Sequence, residues 1–433
     1  MLRLATAALA GTAIEFYDFF VYGTAAALVL GPLFFPSFSP LAGTLAAFAT
    51  FGVGFLARPL GSVVFGHIGD RYGRRPVLLA SLLMTGLATV AVGFVPTYTS
   101  IGIAAPLLLL LLRFLQGLGL GGEWGGAVLL TAEHAPEGRR GLWSSFPQMG
   151  PAVGFLLANG LMLTLSGTLS DASFTAWGWR VPFWAAGVLA LAGLWLRRSV
   201  EETPEFRRLA ETGRRAEAPF TEVVRRHWRL LLLTGGAMAV GYAVFYAVTT
   251  WSLAYATTHL GVGRTVMLAC VMVAVLLMGL ATPLVAVLGD RWGRRPLCLA
   301  GSAACAVWMF PFVALLRTAD PVLMTVGCLG SLLGMVTMFA VVGAYLPELY
   351  APRIRCTGAA VGYNLGGVLG GALTPIVATA LADGSGPPWG VAVYLTVIAL
   401  VSLGCFALLP ETHPALARAR DTGTGAAEAA APA

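Results

Sequence analysis

Five charged residues stand inside stretches that are otherwise apolar: Glu15, Asp18, Arg58, Arg113 and Glu123. Glu15 and Asp18 are three positions apart, so one face of a helix carries both. A desolvated carboxylate beside an arginine changes its affinity for protons as its surroundings open or close. Arginine forms two-pronged pairs with carboxylates, whether a neighbour's or a solute's. The set therefore has the chemistry of proton exchange next to an anion site. Such charges are costly in lipid, so they are expected to face a water-filled or protein-lined path and to pair with one another. An inert ion pair that only holds a bundle together is the plainer alternative. Asp18 and Arg58 fall at mid-membrane depth, and Glu15 lies nearer the side from which the chain starts. Glu123 lies about 15 Å along the helix from Arg113 and about 80° around its axis, so one face cannot present both equally.

The run from Arg113 to Gly126, RFLQGLGLGGEWGG, is the most distinctive in the chain. In water so many glycines would dissolve a helix, whereas in a membrane they let a neighbouring helix or a solute approach the backbone. A phosphate-cradling loop is the competing interpretation, but neither a GK[ST] ending nor a preceding strand accompanies it. Tyr363 and Asn364, followed by Gly366, Gly367, Gly370 and Gly371, form a second close-packing face with one polar handle. Tyr22, Gln116 and Asn364 join Arg58 and Arg113 as candidate solute contacts. Asp18, Glu15 and Glu123 are the candidate proton carriers. Tyr17, Trp124, Tyr242, Tyr246, Trp251 and Tyr345 could line the same cavity, or serve as interfacial anchors and packing.

The elements that hold these residues follow from composition. Of 433 residues, 58% are hydrophobic and 11% charged, with a mean hydropathy of +0.81. That is too few charges to cover a water-facing surface. Twelve stretches reach the roughly 20 apolar residues a membrane-crossing helix needs. They are 8–30, 44–67, 77–95, 104–130, 142–166, 180–197, 229–253, 264–288, 297–316, 322–346, 356–381 and 389–410. The expected fold is an all-α membrane protein of two six-helix bundles, 1–197 and 229–410. A cytoplasmic linker at 198–228 joins them, with a helix start at Thr203-Pro204-Glu205, and a disordered cytoplasmic tail spans 411–433.

All 27 basic residues are arginines, and they concentrate in alternate short loops. The net charge of +7 thus reads as an orientation signal that puts both termini in the cytoplasm, and not as a nucleic-acid surface. The six cysteines lie in or beside apolar runs without a CxxC pair and the five histidines are scattered, so no metal site or cofactor is expected. No nucleophile, base and orienting group share a recognisable motif, so an enzyme is not expected either.

The two halves repeat. GDRYGRRP at 69–76 returns as GDRWGRRP at 289–296, 220 residues further on, with weaker echoes at Glu133/Glu348 and Glu202-Thr203/Glu411-Thr412. An even number of spans per repeat leaves both halves in the same orientation. In each loop the glycines permit a tight turn and the arginines sit at helix ends. Asp70, Arg71, Arg74 and Arg75, matched by Asp290, Arg291, Arg294 and Arg295, read as gating latches that break and reform. A purely topological anchor is the alternative.

These motifs resemble the major facilitator superfamily and, within it, the metabolite:proton symporter family. The resemblance rests on GTAIEFYDFFVYG at 11–23, RPLG at 58–61 leading into GHIGDR at 66–71, Arg113 through Gly126, and ETPEF at 202–206. It covers the chain except its tail. It implies a bacterial inner-membrane secondary transporter working by alternating access without ATP, with intramembrane function on Glu15, Asp18, Arg58, Arg113 and Glu123. Its expected partners are protons, membrane lipids and a small carboxylate metabolite, with a zwitterionic osmolyte such as proline or betaine as the alternative cargo. A non-transporting sensor or scaffold on the same fold is a third possibility. The expected assembly is a monomer.

Overall fold

The computed structural model describes residues 1–72, 74–121, 128, 131–132, 134–136, 138–198, 219–351, 354–382 and 386–413, with the backbone alone at 3, 66–72, 74–78, 195–198 and 219. Among these, every regular element is helical. Nine helices are long and apolar enough to cross a membrane, and three shorter apolar ones, Leu79–Phe94, Ala104–Leu120 and Gly178–Leu194, stand where spans three, four and six are expected. Large apolar side chains point away from the protein, Val307 at 74% and Leu408 at 73% exposure among them. Water would penalise such a surface; lipid tails do not.

The N-terminal half is built from α1 (Leu2–Ala25), α2 (Pro40–Tyr72), α3 (Arg74–Phe94), α4 (Ala104–Leu120), α5 (Arg140–Thr168) and α6 (Val181–Arg198). The C-terminal half is built from α7 (Trp228–Tyr246), α8 (Arg264–Trp292), α9 (Arg294–Leu316), α10 (Pro321–Glu348), α11 (Arg355–Gly366) and α12 (Trp389–Leu408). α1, α7 and α11 each run on through a π-helical turn, at Ala26–Leu30, Ala247–Trp251 and Gly367–Ala372. The turns in α1 and α7 recur at nearly the spacing of the two GDRxGRRP loops, so the repeat extends to backbone irregularities of a kind that cluster at functional sites.

Small residues set the helix spacing around the site. A Cβ on Gly117 would run into the Gly54 carbonyl, one on Gly61 into the Leu118 carbonyl, and one on Gly121 into the Arg58 carbonyl. The glycines after Arg113 thus bring α4 onto the backbone of α2, and so bring Arg113 beside Arg58. At the second GDRxGRRP loop, Gly293 has φ 99°, a value that favours glycine and lets α8 turn into α9 within one residue.

The short helix Pro219–Arg226 precedes α7; the linker start at Thr203-Pro204-Glu205 lies outside the described residues, as does the tail from 414. Residues 411–413 are held by the C-terminal half. Glu411 accepts from the Arg294 and Arg295 amides at 3.1 and 3.0 Å, and Thr412 Oγ1 donates to Glu348 at 2.5 Å. The three residues after Pro410 are thus fastened to that half.

Candidate functional site

Glu15, Asp18, Arg58 and Arg113 are all buried, none more than 4% exposed. They lie where the two halves meet. Arg113 Nη1 donates to Gln116 Oε1 at 3.0 Å, and Gln116 Nε2 donates to Thr89 Oγ1 at 2.6 Å. The Thr89 hydroxyl can donate either to the Thr85 carbonyl, at 2.8 Å, or to the Asp18 carboxylate beside it. One chain of polar groups thus connects Asp18 on α1 to Arg113 on α4 through α3.

Asp18 and Arg113 feel each other's charge, yet Asp18 Oδ1, Arg58 Nε, Arg113 Nε and Arg113 Nη2 are buried without a hydrogen-bond partner. Aromatic rings surround both cations. The Arg113 guanidinium carbon lies 3.7 Å from the Phe19 ring centroid, 4.5 Å from Tyr22 and 4.9 Å from Phe51. That of Arg58 lies 4.1 Å from Phe19 and 4.9 Å from Phe55. Ring faces carry negative charge density, and in a desolvated site each such contact is worth roughly 2 kcal/mol.

The C-terminal half closes this cage. Tyr246 sits 5.3 Å from Phe51, 5.2 Å from Phe55 and 6.4 Å from Phe19, and Tyr242 lies 6.0 Å from Phe55. The Tyr242 and Tyr246 hydroxyls are also buried without a hydrogen-bond partner. An unpaired buried donor or acceptor costs about 1–3 kcal/mol, so six such atoms on facing helices mark a place built to meet another polar group. Tyr22 instead spends its hydroxyl on Thr50, at 2.7 Å.

Asn364 reaches across the seam. Its Nδ2 donates to Ser62 Oγ and to the Gly121 carbonyl, each at 3.0 Å, and Ser62 itself donates to the Gly121 carbonyl. α11 of one half is thereby fastened to α2 and α4 of the other, and both Asn364 donors are in use.

The second GDRxGRRP loop also spans the halves. Asp290 accepts from the Gly141 and Leu142 amides at 2.8 and 2.9 Å, capping the first turn of α5, and pairs with Arg294 at 2.9 Å. Arg294 further donates to the Gly289 carbonyl at 2.6 Å and lies 3.8 Å from Glu348. Arg295 donates to the Ala407 carbonyl at 2.6 Å, whereas Arg291 is exposed. His413 Nε2 donates to the Asp290 carbonyl at 3.0 Å, so the strap at 411–413 braces the same knot. Near it, the Tyr350 hydroxyl bonds Thr234 at 2.9 Å, and burial pushes its phenol up to about 12. At the opposite face, Arg264 of α8 donates to Ser166 of α5 at 2.7 Å, pairs with Asp171 at 2.9 Å and stacks over Phe174 at 4.1 Å.

Glu123 lies outside the described residues. Asp70, Arg71, Arg74 and Arg75 lie in helical backbone at the end of α2 and the start of α3, with their side chains outside the description. The aromatic cage, Thr89 and the Arg264 clasp are features that single residues did not announce. The closely spaced Phe16, Phe19, Phe20, Phe51 and Phe55 were the available signal for the cage.

Known proteins bear on the site as follows. The family model of the Major Facilitator Superfamily matches residues 8–361 and 271–431. The chain is 42% identical to the inner membrane metabolite transport protein YhjE of Escherichia coli K12 over 416 residues, covering 95% of this chain and 94% of that one. It is 38% identical to the shikimate transporter of the same organism, covering 95% of each, and 35% identical to its proline/betaine transporter, covering 94% and 83%. Among solved structures, the proton:xylose symporter XylE with bound 6-bromo-6-deoxy-D-glucose superimposes at a TM-score of 0.75 with 18% identity, covering 95% and 96%. A partially occluded inward-open form of the E. coli xylose transporter gives 0.76 with 19% identity, covering 95% and 98%. The chain belongs to the Major Facilitator Superfamily and is a multi-pass membrane transporter of its metabolite group, not an enzyme.

Proposed function

We propose that this transporter imports a small carboxylate together with protons across a bacterial inner membrane by alternating access. The observation that carries the reading is Arg113, fully buried at the seam with two nitrogens lacking an internal partner. A solute carboxylate offers the acceptors those nitrogens lack, and on this reading Arg58, Tyr242 and Tyr246 complete its shell. Bidentate pairing is the strong form of this contact.

Asp18 supplies the coupling. While Asp18 is charged, Thr89 gives it its single proton, and Arg113 is partly neutralised by the nearby carboxylate. Once Asp18 is protonated, Thr89 turns to the Thr85 carbonyl and the field at Arg113 becomes more positive, so an anion binds more tightly. Proton and solute then favour each other's binding by the same free energy, the linkage that symport requires. Glu15, beside Asp18, and Glu123 are further candidate carriers of protons.

Movement needs latches that hold one state and release it. Asp290 on the α5 N-terminus is such a latch, helped by the helix dipole, and the repeat assigns Asp70, Arg71, Arg74 and Arg75 the same task in the other half. By arginine count this face, and both chain ends, are cytoplasmic.

The zwitterion alternative has its own support in the 35% identity to a proline/betaine transporter and in the tyrosines of α7, since quaternary ammonium groups favour aromatic faces. Against it, Phe19 already has a guanidinium at 3.7 Å and another at 4.1 Å. Uptake into proteoliposomes of labelled dicarboxylates, shikimate, proline and betaine, with and without an imposed pH gradient, decides between the two. Accumulation of the zwitterions alone would overturn the carboxylate reading, and transport of none of them in folded protein would overturn both.

A further inference from the structure

Toward the face that carries the Arg264 clasp, a cavity of about 220 Å³ opens between α2 of one half and α7 and α11 of the other. It is lined by Thr44 of α2, by Trp251, Tyr255 and His259 beyond α7, and by Thr379 beyond α11. We propose that this cavity is a separate outer subsite that captures a small carboxylate before it reaches the central arginines. The inference rests on the import reading only for the direction in which the solute moves.

Two independent observations carry it. The first is Thr379, whose hydroxyl is buried, the residue being 7% exposed, and has no hydrogen-bond partner. Buried hydroxyls are almost always satisfied, so a cavity-lining donor without a partner is a place for a ligand acceptor. The second is a row of parallel rings. Trp251 and Tyr255 stack at 5.1 Å and 20°, and Tyr255 and His259 at 5.0 Å and 19°. The row gives the cavity an aromatic wall on which the apolar part of a small organic acid can pack. Arg317 adds a positive field at the Tyr255 phenol.

The Thr258 hydroxyl lies 2.7 Å from both the Ala254 carbonyl and His259 Nδ1. The titratable and charged groups around the cavity are thus Tyr255, His259 and Arg317, with Asp383 following Ala382 outside the described residues. The space equals that of about seven water molecules, enough for a compact ring or short-chain acid. Trp251 stands five residues beyond Tyr246, so the row leads from the cavity toward the central cage.

The test is thiol labelling in nanodiscs at Thr379→Cys, with Thr44→Cys as a second reporter in case the first fails to fold and wild type as the background. The probes are a sulfonatoethyl and a trimethylammonioethyl methanethiosulfonate, each referred to its rate with a free thiol. The anionic reagent is expected to react about tenfold faster than the cationic one, with benzoate slowing it in a saturable way. Equal rates, a preference for the cation, no protection by benzoate, or no labelling at either cysteine in folded protein would overturn the proposal. The labelling reads only the outer cavity. Arg113→Ala should therefore keep the anion preference even though it abolishes uptake, and failure of uptake in the wild type would count against the import reading alone.

Discussion

Arg58 and Arg113 share a single ring: Phe19 has the Arg113 guanidinium carbon 3.7 Å from its centroid and that of Arg58 at 4.1 Å. The two cations repel each other, and the ring they share offsets part of that repulsion while keeping both nearly dry. Phe19→Leu keeps the apolar volume but removes the π face. It should weaken solute affinity about tenfold, from the loss of roughly 1–2 kcal/mol of cation–π stabilisation, at unchanged expression. Equilibrium binding measures it, and wild-type affinity in Phe19→Leu would show that the ring is only packing.

Arg113→Lys should cost more than a conservative exchange suggests. Lysine keeps the charge but loses the planar fork and the bond to Gln116, so carboxylate affinity should fall about 10- to 100-fold. Neutral analogues should lose far less. Equal losses for charged and neutral solutes would exclude Arg113 as the carboxylate contact.

Asp18→Asn and Thr89→Val address coupling from its two ends. Asp18→Asn mimics the protonated acid, so solute exchange should persist while accumulation driven by a pH gradient disappears. Thr89→Val leaves Asp18 titratable but removes the hydroxyl that Gln116 and Asp18 share, so accumulation should fall with exchange largely retained. Binding that strengthens as pH falls in the wild type, and that is flat in Asp18→Asn, is the matching equilibrium signature. Wild-type accumulation in Asp18→Asn would remove this residue from the proton path.

The membrane architecture was legible because lipid imposes one rule on every span, and twelve apolar stretches with arginine-rich alternate loops obey it. The buried charges were legible for the same reason, since each is expensive wherever it lies. Their partners were not. Arg113 and Gln116 are neighbours on one helix, but the bond from Gln116 to Thr89 and the ring of Phe19 between two arginines depend on how α1, α3 and α4 pack, which local pattern does not encode. Asn364 shows the same limit: its bonds to Ser62 and the Gly121 carbonyl cross between the halves, and only their close approach reveals them.

Asp290→Ala should open the face that bears the GDRxGRRP loops. The carboxylate holds two amides of α5 and Arg294 at once, and charge-assisted bonds of this kind are worth about 1.5–3 kcal/mol each before the loss of partners is counted. Its removal leaves the α5 N-terminus uncapped and Arg294 with Glu348 as its nearest carboxylate. Spin-label distances across that face should shift toward the open population at least tenfold, with solute binding retained. An unchanged distribution would reduce the loop to a topological anchor.

At the opposite face the clasp of Arg264 should divide unequally. Its partner Asp171 has a side chain 93% exposed, where water screens the pair, so Asp171→Asn should alter the conformational equilibrium by less than about 1 kcal/mol. The bond to Ser166 and the stack over the buried ring of Phe174 are shielded, so Arg264→Ala should open this face several-fold more than Asp171→Asn does. Because α5 carries the Asp290 contact at one end and Ser166 near the other, loosening one clasp favours the state held by its counterpart. Arg264→Ala and Asp290→Ala should therefore shift the distance distributions in opposite senses, and the double variant should lie between them. Shifts in the same sense would show that the two clasps do not act on a common rocking motion.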